Sequence, residues 1–135
     1  QLRSTLLLTN IIQQVKNGST LILASAATIS FSHHALPVYE IYKVGEDLHW
    51  IDGLSIYHEI WQDVTIIPHF NNREGGVGLD TSYCYVGKDR ATKLLAMLPP
   101  ATNVIGIDEH TALVIDLTTN DQAVKGKGTL TQVLE

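Results

Sequence analysis

The stretch that most constrains this chain is Gly18-Ser19-Thr20-Leu21-Ile22-Leu23-Ala24-Ser25-Ala26-Ala27-Thr28. Thr20 to Ala24 predicts a strand, and the consecutive apolar residues Leu21, Ile22 and Leu23 predict that both of its faces are covered. The strand stops at Ser25, which is flanked by Ala24, Ala26 and Ala27. A sharp strand-to-helix turn needs small neighbours, and such a turn pushes a serine hydroxyl out at the end of a sheet. A helix beginning at Ala26 would point its first free N–H groups at anything bonded to Ser25. The same pattern fits a serine that merely caps a helix, so this segment alone leaves both roles open.

The remaining sequence alternates between helical and extended patterns. Arg3 to Asn17 carries Leu7, Leu8, Ile11, Ile12 and Val15 at helical spacing, and Asn17-Gly18 supplies a stop. Thr28 to Ser32 continues a short helix after the serine turn. His33-His34-Ala35-Leu36-Pro37 is a break, because Pro37 disfavours helix at Leu36. Val38 to Val44 is β-branched and aromatic and predicts extended structure, with Leu48 to Ile51 pairing back across Gly45-Glu46-Asp47 as a hairpin. Leu54 to Trp61 is a short helix, Val64 to Ile67 a buried strand, and Asn71 to Gly78 a polar, glycine-rich loop. Asp89 to Leu98 is a helix stopped by Pro99-Pro100, with Ala91, Leu94, Leu95 and Leu98 facing inward. Asn103 to Ile107 and Thr111 to Leu117 are strands separated by Asp108-Glu109-His110. Ala123 to Leu134, with Gly126 and Gly128, predicts a terminal strand pair.

This order predicts a layered α/β domain over residues 1–135, with a mostly parallel sheet, flanking helices and a C-terminal antiparallel pair. The length of 135 residues suits one domain, and 44% hydrophobic against 17% charged residues suits a packed core. The formal charge of −5 speaks against a nucleic-acid surface and provides no basic stripe for a membrane. No apolar run approaches the roughly 20 residues of a membrane span. Cys84 is the single cysteine, so no internal disulfide is possible; a reducing, cytoplasmic setting is the expectation. The chain starts at Gln1, which predicts a processed or truncated start.

In open α/β sheets, sites lie beyond the carboxyl ends of the strands. Three strands here end in reactive residues: Ser25, His69 and the Asp108-Glu109-His110 triplet. A serine hydroxyl needs a base to take its proton, and the base needs a third group to hold it. Ser25, His69 and Glu109 supply those types, with Asp108 competing for the acid role and His110 for the base role. His33, His34, His49 and His58 read as ordinary histidines. Metal-binding spacings such as H-E-x-x-H are missing, so neither a metal nor a cofactor is expected. Cys84 is a rival nucleophile, although a small buried hydrophobe is its simpler role. Arg73 and Arg90 carry the guanidinium fork that grips a carboxylate.

Ala24-Ser25-Ala26-Ala27, Pro37 to Gly45, Ile67-Pro68-His69-Phe70-Asn71-Asn72, Glu74-Gly75-Gly76 and Gly106-Ile107-Asp108-Glu109-His110-Thr111-Ala112 together resemble the peptidase E and cyanophycinase-like family. The resemblance runs over nearly the whole chain. It implies a flavodoxin-like, class I glutamine-amidotransferase-like α/β fold. It also implies a serine hydrolase that cuts peptide or isopeptide bonds next to aspartyl residues. By that resemblance Ser25 is the nucleophile, His69 the general base and Glu109 the acid that orients it. The Ala26 N–H would steady the oxyanion, with Asn71 and Arg73 as oxyanion or binding residues and a small acidic or aspartyl peptide as substrate. Ala27 stands where the family usually has glycine. Family members also carry a sizeable N-terminal portion, supplying central strands and one oxyanion donor, before the helix that begins here near Arg3. The expectation is therefore a fold incomplete at its N-terminus. It would form a homo-oligomer, be completed by another chain, or serve as a non-catalytic binding or assembly module.

Overall fold

The computed structural model describes residues 2–134 as a mixed α/β fold. Helix α1 is Leu6–Lys16. Its start is fixed by Thr5, whose Oγ1 accepts the Leu8 N–H at 3.2 Å, and its end by Asn17 and by Gly18 at φ +95°. It buries Leu8 and Val15 but leaves Leu6 and Leu7 exposed, so its inward stripe is narrower than the spacing predicts.

Helix α2 (Ala26–Ser30), strand β1 (His34–Ala35), strand β2 (Ile51–Asp52), helix α3 (Ile56–Ile60) and strand β3 (Thr65–Ile67) follow. Then come helix α4 (Lys88–Ala96) and strands β4 (Val104–Ile107), β5 (Thr111–Ile115), β6 (Gln122–Gly126) and β7 (Leu130–Leu134). The central sheet has the order β3-β4-β7. β3 and β4 run parallel, with Ile66 opposite Ile105, while β7 lies antiparallel to β4.

Successive residues of β3 and β4 point to opposite faces, as a period of two requires. Ile67 and Val104 join a cluster with Leu36, Ile41, Val86, Ala91 and Leu94. Ile66 and Ile105 join the other cluster, with Leu8, Phe31, Ile56 and Tyr57. This pair of strands is thus covered on both sides, the environment in which β-branched residues at consecutive positions are stable. Two buried hydroxyls stitch the flanking segments to it. Ser32 Oγ accepts the Ile66 N–H at 2.9 Å, and Thr65 Oγ1 accepts the His34 N–H at 3.4 Å.

Five expectations are corrected. Thr20 to Ala24 forms no strand: the described residues place no ladder beside it, and Ile22 is 87% exposed. Val38 to Val44 is helical, with a π-type turn over Glu40–Val44 that ends at Gly45 in the left-handed region. It buries Ile41 and leaves Tyr39 and Val44 outside, so one-sided burial overrides β propensity. Leu48 to Ile51 does not pair back on that segment; instead Ile51 and Asp52 pair with Ala35 and His34. β6 and β7 are not partners of each other, since β6 pairs with β5 and β7 with β4. Among the described residues parallel pairing is confined to β3 and β4, so the sheet is mixed rather than mostly parallel.

Candidate active site

Parallel strands carry their carboxyl ends to one rim, and β3 and β4 thereby bring His69 and Glu109 together. His69 follows Pro68 at φ +51°. Its carbonyl accepts the N–H groups of Asn72 at 3.1 Å and Cys84 at 3.2 Å. Phe70 donates its N–H to Ile107 at 3.0 Å and accepts from the Tyr83 N–H at 2.9 Å. The histidine is therefore gripped from β4 on one side and from the Tyr83–Tyr85 turn on the other. That turn holds three successive residues at positive φ (+53°, +57° and +70°), a conformation that side-chain-bearing residues adopt at a cost. Gly106 makes room for the arrangement: a Cβ there would lie 2.4 Å from the Phe70 ring.

Ser25 stands at the start of α2 with φ +49° and ψ −118°, a strained geometry for a serine. Its hydroxyl does not cap the helix. It lies instead 3.0 Å from His69 Nε2. His69 Nδ1 lies 3.2 Å from Glu109 Oε1. An ionised carboxylate can only accept, so Nδ1 carries the proton and Nε2 of the neutral ring is left to accept from the serine hydroxyl. The imidazole and the carboxylate are 30% and 27% exposed, and Ser25 is exposed, so the hydroxyl is reachable from solvent.

The other candidates fall elsewhere. Asp108 turns to the residue just before β7, where its Oδ2 accepts the Thr129 N–H at 2.9 Å and the Thr129 hydroxyl at 3.0 Å. That leaves Glu109 as the acid facing the ring. His110 is exposed at φ +54°. Asn71 Oδ1 accepts the Glu109 N–H at 2.8 Å. Arg73 is exposed and its guanidinium makes no hydrogen bond among the described residues, whereas Arg90 Nε donates to the Val86 carbonyl. Ala26 is the first residue of α2, where helix geometry leaves the N–H without an intrahelical acceptor. Cys84 is buried, and burial together with the Glu109 charge pushes its thiol up to about 12, which keeps it protonated and unreactive at neutral pH. Among the described residues no three His, Cys, Asp or Glu side chains are grouped to hold a metal, and no helix is long and apolar enough to cross a membrane.

Two contributors escaped the sequence reading. Asn72 Nδ2 donates to Glu109 Oε1 at 2.7 Å from a buried position. That bond is the main reason the Glu109 carboxyl lies below the ordinary carboxylate range; the hydrogen bond and charge of His69 and the charge of His110 add to it, and desolvation opposes it. Tyr85 packs its ring 5.7 Å from the His69 ring and donates its hydroxyl to Glu74 Oε2 at 3.2 Å. The Asn-Asn pair right after Pro-His-Phe was the available signal for the first. The second had none, since Tyr85 is far from Glu74 in sequence pattern and meets it only through the turn.

Among solved structures the chain is similar to a peptidase from an acI-B1 Actinobacterium, with 27% sequence identity and a TM-score of 0.69. The match covers 98% of this chain and 47% of that one, so the chain spans about half the length of that peptidase. No protein-family model matches the sequence, and no curated protein matches it.

Proposed function

We propose that this chain carries the nucleophilic centre of a serine peptidase, with Ser25 as nucleophile, His69 as general base and Glu109 as the acid that holds the ring. The observation that carries the reading is the unbroken line of contacts from Ser25 Oγ through His69 to Glu109, at 3.0 and 3.2 Å. Its likeness to a peptidase over 98% of its length supports the same class. In the reaction, Ser25 Oγ attacks the amide carbonyl while His69 Nε2 takes the hydroxyl proton. Glu109 stabilises the resulting imidazolium through Nδ1. The imidazolium then gives its proton to the leaving amine, and water, activated by the same ring, releases the acyl group from Ser25. The Ala26 N–H is the proposed oxyanion donor. A missing oxyanion donor costs about 10²–10³ in rate, so activity depends strongly on whether a second one is supplied.

Within that class, the motif resemblance supports a peptidase E or cyanophycinase-like hydrolase on a class I glutamine-amidotransferase-like fold, acting in the cytoplasm on small acidic or aspartyl peptides. The test is hydrolysis of a panel of dipeptides with aspartate, asparagine or alanine before the scissile bond. Turnover is expected for the aspartyl member in the wild type and none in Ser25→Ala; equal turnover by both proteins removes Ser25 from the mechanism.

A second reading, a binding or assembly module, is favoured by one observation. Thr20 to Leu23 makes no backbone hydrogen bond among the described residues, and Ile22 lies open beside it. Such an edge pairs readily with another strand. This reading predicts an oligomer or a mixed complex by light scattering, with no Ser25-dependent turnover.

A further inference from the structure

We propose that Asn72 is a positioning residue for this reaction: it locks the Glu109 carboxylate in the orientation and charge state that the His69 ring needs, and it couples that carboxylate to the glycine-rich loop that follows. Its kinetic consequence rests on the hydrolase reading above, whereas its effect on the His69 ring does not.

Asn72 is 1% exposed, although its neighbours Asn71, Arg73 and Glu74 are all exposed. A primary amide buried in a surface loop is unfavourable unless both of its ends are bonded. Here both are. Nδ2 donates to Glu109 Oε1 at 2.7 Å, and Oδ1 accepts the Glu74 N–H at 3.1 Å. The opposite amide orientation would set oxygen against carboxylate and NH2 against N–H, so the bonding pattern fixes which end is which. The oxygen that Asn72 holds is the same Oε1 that meets His69 Nδ1. Rotating the carboxylate away would therefore break two bonds at once. The main chain of Glu109 is held separately by Asn71 Oδ1 at 2.8 Å. Two adjacent asparagines thus secure the backbone and the side chain of one residue.

The titratable groups that sense Glu109 are His69, His110, Tyr85 and Cys84. Asn72 supplies the shortest donor to the carboxylate, 2.7 Å against 3.2 Å for His69, and lowers its pKa more than either histidine does. Beyond Asn72 the loop returns to the site: Gly75 N–H donates to Thr81 Oγ1 at 3.1 Å, and Glu74 accepts from Tyr85, whose ring faces His69.

The test uses the full chain with Asn72→Ala, Asn72→Asp and Glu109→Gln, read by steady-state kinetics against pH and by NMR titration of the His69 ring. A hydrogen bond to a charged group predicts that Asn72→Ala lowers kcat about tenfold to a hundredfold, leaving KM little changed. In a Glu109→Gln background the same substitution should cost less than about twofold, because its partner is already gone. Asn72→Asp has nearly the same shape and sets a second carboxylate beside Glu109. It should raise the His69 midpoint and move the acidic limb of kcat/KM to higher pH with it. Wild-type kcat in Asn72→Ala, or an unmoved His69 midpoint in Asn72→Asp, overturns the proposal. Should Asn72→Ala fail to fold, the Asn72→Asp titration decides alone. Should the wild type show no Ser25-dependent turnover, the hydrolase reading fails by itself, and the His69 titration still decides the role of Asn72.

Discussion

His69 and Glu109 follow strands that are packed on both faces and laddered to each other, whereas Ser25 ends a segment that has no ladder among the described residues. On the first side, the His69 carbonyl, the Phe70 amide and carbonyl, the Glu109 amide and one Glu109 carboxylate oxygen are all engaged. On the second side, Thr20 to Leu23 makes no backbone hydrogen bond among the described residues, and Leu21 and Leu23 rest partly buried on the Leu8–Phe31–Ile66 cluster. The proposed base and acid are thus anchored to the sheet, while the proposed nucleophile hangs from the least supported stretch of the same site. A peptidase centre needs its nucleophile within about half an ångström of its working position. On the proposed mechanism, what supports Thr20 to Ala24 therefore sets how well Ser25 is held against His69.

The difference can be broken most decisively by hydrogen exchange. Amides of Phe70, Tyr83 and Cys84 should be protected about a thousandfold or more over those of Thr20 to Leu23, since core amides open only with a cost of several kcal/mol. Equal protection would mean that the serine-bearing segment is as well held as the histidine. Next in size is Gly106→Val, which drives a side chain into the Phe70 ring beside His69. Overpacking of this kind costs about 1–3 kcal/mol, read as a lower urea midpoint together with reduced turnover. An unchanged midpoint would show that Phe70 yields freely and does not brace the base.

Glu109 gives a smaller effect with a definite sign. Its carboxyl is depressed below the ordinary value of 4.5, so its contribution to stability is present above that pH and is lost as pH falls through the folded-state value. The stability gap between the wild type and Glu109→Gln should therefore narrow between pH 7 and pH 3 in urea titrations; a constant gap would contradict the bonding described here. Smallest is Ile22→Thr, which changes a side chain that is 87% exposed and should leave stability within about 0.5 kcal/mol. A larger loss would show that the segment is packed after all.

Much of the fold is legible in the sequence where local chemistry and burial agree. α1 ends at the Asn17-Gly18 stop that its sequence carries, although it starts after Thr5 rather than at Arg3, and the β-branched runs of β3 and β4 lie where both faces are covered. Legibility fails where a residue's meaning depends on a distant neighbour. Val38 to Val44 has strand composition, yet only one of its sides meets the core. Gly126 and Gly128 read as turn punctuation between two paired strands. Their actual constraint is proximity to the Asp108–Thr111 turn, where a Cβ would lie 2.1 Å from the His110 carbonyl oxygen and 2.5 Å from Asp108 Cβ. Leu21-Ile22-Leu23 has the pattern of a doubly covered strand, but pattern cannot say whether a neighbour is there. At the site, the sequence singled out Ser25, His69 and Glu109 by residue type, and the structure brings these three side chains into one line of contacts, although Ser25 ends no strand. For Asn72 the only signal was its place beside Asn71 after Pro-His-Phe; its burial against a carboxylate depends on Glu109, 37 residues away.

The proposed reaction requires Ser25 to be a nucleophile activated by His69. Mapping the adduct of a fluorophosphonate probe by peptide mass spectrometry tests this most directly. The expected result is modification at Ser25 in the wild type, at a rate that rises as His69 loses its proton, and none in Ser25→Ala or at wild-type rate in His69→Ala. Modification at another serine, or equal labelling of all three proteins, would contradict it.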